Sequence, residues 1–413
     1  MSKRYVNIYI DPDGVKHYPT PAIDKLTEID AVDPDLDELV IHDQSQATGQ
    51  KEKRVKPAKL WPMRARTILG RARSSGGPQV IKPEQMLATT SRAGFMSADD
   101  KAIVDALYNP NILIDGNFEY WDEGTSFTGA TGYTSTMWYK SDALSTISRS
   151  TTVPNTKSEY SLRLHGNVAY IRVWHFIPSY ITKQIKNQNV TLSFWVRRAS
   201  TATGVARIYV RTADVKDNFS SATIRAWQEW SSAKDEWVYN ALTFNLTYAD
   251  VENGLVFQFY ATGADVADVD YYFSQVKLEP GTVATPFYQG PEERLKVLRY
   301  FEKSYSDPAV PGANTTEGIQ VVSVPASSST TLLGASVKFL IPKRTIPTIT
   351  TYRRDGSAIN PTYWRLNYTT YLGVTTTPFH NSFIVGTNTA SGLTAGNCYI
   401  LDGHFTADAR FYP

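Results

Sequence analysis

The sequence predicts a mainly β chain organised around an antiparallel sandwich. Short runs rich in Val, Ile, Tyr, Phe and Trp occupy residues 161–164, 170–176, 190–196, 206–211, 237–246 and 255–261. Gly, Asn, Asp and Ser separate them, which is the chemistry of strands joined by turns. The gaps leave no room for helices between strands, so a doubly wound α/β domain is not expected. Aromatic residues make up 12% of the 413-residue chain, enough to fill a β core and also face solvent. That length suits two or three domains.

Composition excludes several classes. The net charge of +2 implies no global attraction to nucleic acid or to an anionic membrane. The single cysteine, Cys398, excludes an intrachain disulfide framework and fits assembly in a reducing cytoplasm. No apolar run reaches about 18 residues, so no membrane-spanning helix is expected. The N-terminal segment is too short and polar for a signal peptide.

Taken in order, residues 5–10 read as a strand, and the Asp11-Pro-Asp-Gly14 turn places 15–18 as its hairpin partner. Residues 24–43 then hold eight acids and one base, and 51–82 ten bases and one acid. Such blocks read as solvated segments or as an arm docking on charged surfaces of a larger assembly, and nucleic-acid binding by the basic block is a weaker third reading, since only Trp61 is interleaved with it as a stacking platform. Residues 71–78 (RARSSGGP) form a linker by composition. A helix over 93–107 starts at Ser97 with Asp100 three residues on, and Ile103, Val104 and Leu107 line one face. Alone in water so short a helix is marginal, so the face needs partners, and copies around a threefold axis would supply them.

Residues 111–290 form the central domain, and seven of the nine tryptophans lie between Trp121 and Trp237. Trp174 and Trp195 sit within apolar strands and are expected in the core. Trp138 with Tyr139, and Trp227 with Trp230, lie in polar, turn-like surroundings and are the candidate exposed rings. A sugar packs its C–H face on an aromatic ring, while carboxylates and amides take the hydroxyls, and both clusters supply that mixture. An ordinary sandwich edge has the same composition, so the core alternative stands beside the binding one. A helix over 291–303 follows, with Leu295, Leu298 and Phe301 as its stripe. The stripe packs either on a neighbouring sheet or in an oligomer seam. Strands over 336–341, 345–352, 363–368, 382–385, 398–405 and 407–411 complete a C-terminal sandwich, in which Tyr363 and Trp364 are further candidate rings.

Catalytic motifs are absent. The six histidines, at 17, 42, 165, 175, 380 and 404, form no HExxH pair, and one cysteine cannot build a thiolate zinc cluster. No Walker loop, nucleophile elbow or dinucleotide fingerprint occurs. The chain is therefore expected not to be an enzyme, and neither cofactor nor metal is expected.

Several phrases carry a resemblance. Residues 111–121 (NILIDGNFEYW) and 271–287 (YYFSQVKLEPGTVATPF) resemble the ends of carbohydrate-binding-module-like jelly rolls in fibre proteins of tailed bacteriophages. Residues 37–43 (DELVIHD), 94–101 (GFMSADDK), 292–303 (EERLKVLRYFEK), 337–350 and 407–410 resemble further elements of such fibres, while the first 36 residues lie outside the resemblance. The resemblance implies four parts: a virion-attachment arm (1–92), a short helix that is a possible trimer seam (93–110), the jelly roll (111–290), and a linking helix with a C-terminal sandwich (291–413). It also implies a homotrimeric virion protein, assembled in the bacterial cytoplasm. Residues 1–92 would contact other virion proteins, and the outer domains would bind host surface polysaccharide non-covalently. A structural head or collar fibre, and a capsular depolymerase, remain alternatives. Many such jelly rolls hold a structural calcium, for which Asp115, Asn117, Glu119, Asp268 and Asp270 would be ligands. Ser274-Gln275 stands where an acidic pair is usual, which argues against that ion here.

Overall fold

The computed structural model describes residues 111–166, 170–199, 206–262, 269–388 and 390–413, six short strands before residue 82, and Val104. The chain divides into two units, Met1–Ala102 and Ile103–Pro413. In the first unit, β1 (Tyr5–Ile10), β2 (Lys16–His17), β3 (Glu38–Asp43) and β4 (Glu52–Val55) form one sheet in the order β2-β1-β3-β4. The β1–β2 hairpin matches its turn chemistry. The parallel pairing of β1 with β3 was not foreseen, because it joins segments far apart in sequence with no local turn signal. A ribbon of β5 (Ile68–Gly70) and β6 (Gln79–Ile81) follows.

Two six-stranded antiparallel sheets face each other in the central domain. The first contains β7 (Ser126–Phe127), β10 (Thr146–Ser150), β11 (Ser161–Gly166), β13 (Gln188–Arg198), β16 (Val238–Leu246) and β18 (Val269–Pro280). Its order is β16-β13-β18-β11-β10-β7. The second contains β8 (Gly132–Tyr133), β9 (Tyr139–Lys140), β12 (Tyr170–Ile177), β14 (Ala206–Val215), β15 (Asn218–Glu229) and β17 (Leu255–Thr262). Its order is β15-β14-β17-β12-β9-β8. Alternate residues point inward, so Val190, Leu192, Phe194 and Val196 of β13 meet Ile171, Val173, Ile208, Val210, Phe257 and Phe259 in one buried core. Two one-turn helices, α1 (Ser179–Thr182) and α2 (Tyr248–Val251), sit in the connections. The strand β15 is new relative to the sequence reading, which placed Trp227 and Trp230 in polar, turn-like surroundings.

The C-terminal sandwich is built on β27 (Cys398–Asp408). It pairs with β19 (Phe301–Lys303), β20 (Gln320–Pro325), β22 (Thr348–Tyr352) and β23 (Tyr363–Leu366). The two strands expected at its C-terminal end, 398–405 and 407–411, are replaced by this one continuous strand, which stops at Asp408. Pairing of β24 (Thr370–Gly373) with β23 extends the sheet, while β21 (Leu332–Lys338), β26 (Ser382–Thr387) and β25 (Thr375–Pro378) form the second sheet. A separate core around Trp364, Phe383, Leu401 and Phe405 fills the space.

The expected helix over 291–303 is shorter, α3 (Glu293–Leu298), and Phe301 already belongs to β19. Leu298 and Phe301 are buried within the chain at 6% and 1% exposure, so they are not free to form an oligomer seam. Leu295 is 52% exposed because α3 turns Glu293 inward instead. There, Glu293 Oε1 accepts the Asp115 backbone N–H at 2.7 Å, and Oε2 pairs with Lys296 at 2.9 Å. Val104 is exposed; Ile103 and Leu107 lie outside the described residues.

Polar clamps join the two sandwiches. Arg294 donates twice to Asp122, at 2.7 and 3.0 Å, and Lys303 lies 3.6 Å from the same carboxylate. The C-terminal residues then fold onto the central domain. Arg410 is buried against Asp408 (2.6 Å) and Glu123 (2.5 Å), with its guanidinium over the Tyr133 and Phe301 rings. Burial opposes the Arg410 charge, yet the two carboxylates hold its pKa well above the ordinary value. Tyr133 Oη donates to the Phe411 carbonyl, and the Phe411 ring packs beside Phe219 and Phe176. The Arg344 guanidinium lies 3.6 Å from the centre of that ring.

Replacing Arg410 with Met strands two carboxylates in a partly buried site. Arg410→Met should therefore cost about 3–5 kcal/mol in a denaturant titration near pH 7. Burial pushes the Asp408 carboxyl up, but Arg410 more than offsets this and leaves its pKa below the ordinary 3.8. The Asp408 contribution is thus present above that value and lost as pH falls through the lower folded value. The difference between wild type and variant should shrink in acid.

Candidate functional site

The outer face of the second sheet brings aromatic and cationic side chains into register. Trp227 pairs with Tyr209, Tyr209 with Gln258, Gln258 with Trp174, and Trp174 with Tyr139, a single row across five strands. A second row runs Glu229, Arg207, Tyr260, Arg172, and a third runs Ile224, Arg211, Val256, Phe176. Neighbouring strands lie about 4.8 Å apart and rows on one face about 7 Å apart, so this is one continuous surface. Trp174, Tyr209, Tyr260 and Tyr170 are partly exposed, and Trp227 is 50% exposed.

The rings are framed by guanidiniums. Arg207 lies 4.1 Å over the Trp227 ring and pairs with Glu229 at 3.2 Å. Arg172 lies 4.2 Å over Tyr170 and 5.7 Å from Tyr260. Arg211 donates to Gln258 Oε1 at 2.8 Å and to the Ala222 carbonyl at 3.2 Å, and its charge sits 6.0 Å from the Trp174 ring. Three buried donors here, Trp174 Nε1, Arg172 Nε and Arg207 Nε, have no hydrogen-bond partner. A buried donor left unpaired costs about 1–3 kcal/mol. Flat apolar rings flanked by donors match the two faces of a sugar. The three rows carry a single carboxylate, Glu229, whereas hydrolysis of a glycosidic bond commonly employs two.

The period of two along a strand sorts the rings that sequence singled out. Trp138 and Tyr139 are adjacent and point to opposite faces. Trp138 is 0% exposed between the sheets, 4.8 Å from His175 and 5.0 Å from Phe118, with Nε1 donating to the Asp115 carbonyl. Tyr139 points outward but is buried under Trp174, Phe176 and Tyr412. Trp227 and Trp230 are three apart and also oppose. Trp227 faces solvent, while Trp230 packs inside against Phe194, Tyr271 and Phe273. Trp364 is likewise core, with Nε1 donating to the His404 carbonyl, and Tyr363 is partly exposed beside Gly373. The expectation of exposure is thus corrected for Trp138, Tyr139, Trp230 and Trp364. The expectation of burial is corrected for Trp174 and Trp195, which are outward on their strands; Trp195 packs on Tyr239 over the first sheet. Tyr209 and Tyr260 went unnoticed, although each alternates with inward aliphatic or aromatic residues.

The region where the resemblance implied calcium is occupied by protein contacts. Asp115 accepts from Ser135 and from the Glu119 and Tyr120 amides, and burial pushes its pKa well up. Asp270 pairs with Arg163 and His165. Gln275 donates to Asn155 and Ser158, and Ser158 donates to Asn117. Asp268 lies outside the described residues. Among the described residues no group of three or more acidic, His or Cys side chains is placed to hold a metal.

No family model and no curated protein matches the chain. Solved structures give partial likenesses. A putative sugar binding protein from Bacteroides thetaiotaomicron VPI-5482 is matched along 42% of this chain and 100% of its own, at 11% identity and TM-score 0.30. The CBM22-1 xylan-binding domain from Paenibacillus barcinonensis Xyn10C is matched along 43% and 97%, at 14% identity and TM-score 0.28. The enzymatically active domain of bacteriophage CBA120 tailspike protein 4 is matched along 41% of this chain, at 12% identity and TM-score 0.29. This chain spans only 21% of that tailspike structure. At such scores these likenesses carry no argument about function, which rests on the side chains above.

The two tryptophan environments are separable by melting. Trp138→Ala should cost about 3–5 kcal/mol. Trp227→Ala should change stability by no more than about 0.5 kcal/mol.

Proposed function

We propose that this chain is a virion fibre protein of a tailed bacteriophage that binds a host surface glycan on the outer face of its second central sheet. The observation that carries the binding part is the in-register row Trp227–Tyr209–Gln258–Trp174, with Trp227 exposed and Tyr209 and Trp174 partly exposed. The sequence resemblance supports the virion part, with residues 1–92 as the segment that attaches to other virion proteins. Binding is non-covalent and multivalent. Each site is weak, and a homotrimer raises avidity by roughly 10² to 10⁴. Of the side chains first expected in a trimer seam, Val104 and Leu295 are exposed and available.

Trp227→Ala and Tyr209→Ala in the full chain should each weaken adsorption to host cells at least about tenfold, a loss of roughly 1.4 kcal/mol, with little change in melting temperature. Light scattering should give about three times the 46.1 kDa of one chain. Stable variants that adsorb like wild type would move binding to the C-terminal sandwich, at Tyr363 and its neighbours. If loss of that sandwich is also harmless to adsorption, the structural fibre reading replaces this one.

A further inference from the structure

The three rows carry an imbalance of charge. Arg172, Arg207 and Arg211 all project onto the aromatic face, and Glu229 is the single carboxylate among the described residues of these rows. Glu229 is already engaged by Arg207. Arg211 has only neutral partners, the Gln258 amide and the Ala222 carbonyl. Arg172 has rings on its flank and no hydrogen-bond partner at Nε. Its row and that of Arg211 lie on either side of Trp174, so two guanidiniums without a counter-ion among the described residues bracket the central ring. Burial lowers the Arg211 pKa, and the like charge of Arg172 lowers it further.

Two like charges on one half-buried face are unfavourable in the free protein, and an anion placed beside either relieves that repulsion. A neutral sugar would leave it in place. We infer that the glycan taken by this face is anionic, a polysaccharide whose repeat carries a carboxylate or phosphate, seated over Trp174 with its charge on Arg172 or Arg211. Guanidinium suits either group, because its planar fork donates two parallel hydrogen bonds to carboxylate and phosphate alike. The inference rests on the proposed glycan face and names the class of glycan.

The test uses the full-length protein and a panel of immobilised bacterial polysaccharides: neutral, uronic-acid-containing and phosphate-containing. Each uronic member is also presented after chemical reduction of its carboxyls to hydroxymethyl groups. Retention is expected on acidic members only, with at least a tenfold loss on carboxyl reduction if the retained member is uronic. Retention should also fall when salt is raised to about 1 M, where the Debye length is about 3 Å. Arg172→Gln should bind acidic members at least tenfold more weakly while melting like wild type. Carboxyl reduction alters only the ligand, so that arm is decisive even if an arginine variant misfolds. Equal retention of neutral or carboxyl-reduced members, with Trp227→Ala abolishing it, would overturn the anionic assignment and leave the glycan face standing. Retention unaffected by Trp227→Ala, or retention of no member, would overturn both.

Discussion

Arg410 holds the two sandwiches in one arrangement. Its guanidinium neutralises Asp408 from its own sheet and Glu123 from the central domain, and packs between Tyr133 and Phe301. A cation so buried is tolerated only when its donors are satisfied, which fixes the path of the last residues. With that path fixed, Phe411 fills the space beside Phe176 and Phe219, and Tyr412 covers Tyr133 and Tyr139. The covered rings belong to the outer face of the second sheet. The chain end therefore decides where the open part of that face begins: Phe176 and Tyr139 are sealed, while Trp174, Tyr209 and Trp227 remain accessible.

The open part combines features rarely left together on a surface. Partly exposed rings are held by cation–π contacts at 4.1 and 4.2 Å, which limit their rotation in the absence of ligand. Ordering beforehand reduces the entropy lost on binding. The unpaired donors of Trp174, Arg172 and Arg207 mark where the fold itself leaves hydrogen bonds unmade. In the core, Trp230 Nε1 is unpaired as well, while the buried donors of Trp138 and Trp364 find backbone carbonyls.

Much of this fold was legible because strand patterning is local. The runs at 161–164, 170–176, 190–196 and 255–261 all became strands, extended by a residue or two. What stayed hidden depended on contacts distant in sequence. Tyr5–Ile10 finds a parallel partner at Glu38–Asp43, and Phe301 leaves its expected helix because β27, about a hundred residues on, offers an edge. The site was misread for a related reason. Hydrophobic context placed Trp174 inside and polar context placed Trp138 outside, whereas the face of a strand residue is set by its parity relative to its neighbours. Counting parity within Tyr170–Ile177, where Ile171 and Val173 are inward, would have turned Trp174 outward. No local count would have shown that Tyr412 covers Tyr139.

The most direct test of the central claim is a crystal structure of the full chain with an acidic oligosaccharide. The account places the sugar along the row from Trp227 through Tyr209 to Trp174, with an anionic group about 3 Å from Arg172 or Arg211. A sugar bound instead over Trp195 and Tyr239 on the opposite sheet, or on the C-terminal sandwich with the Trp174 face empty, would contradict it.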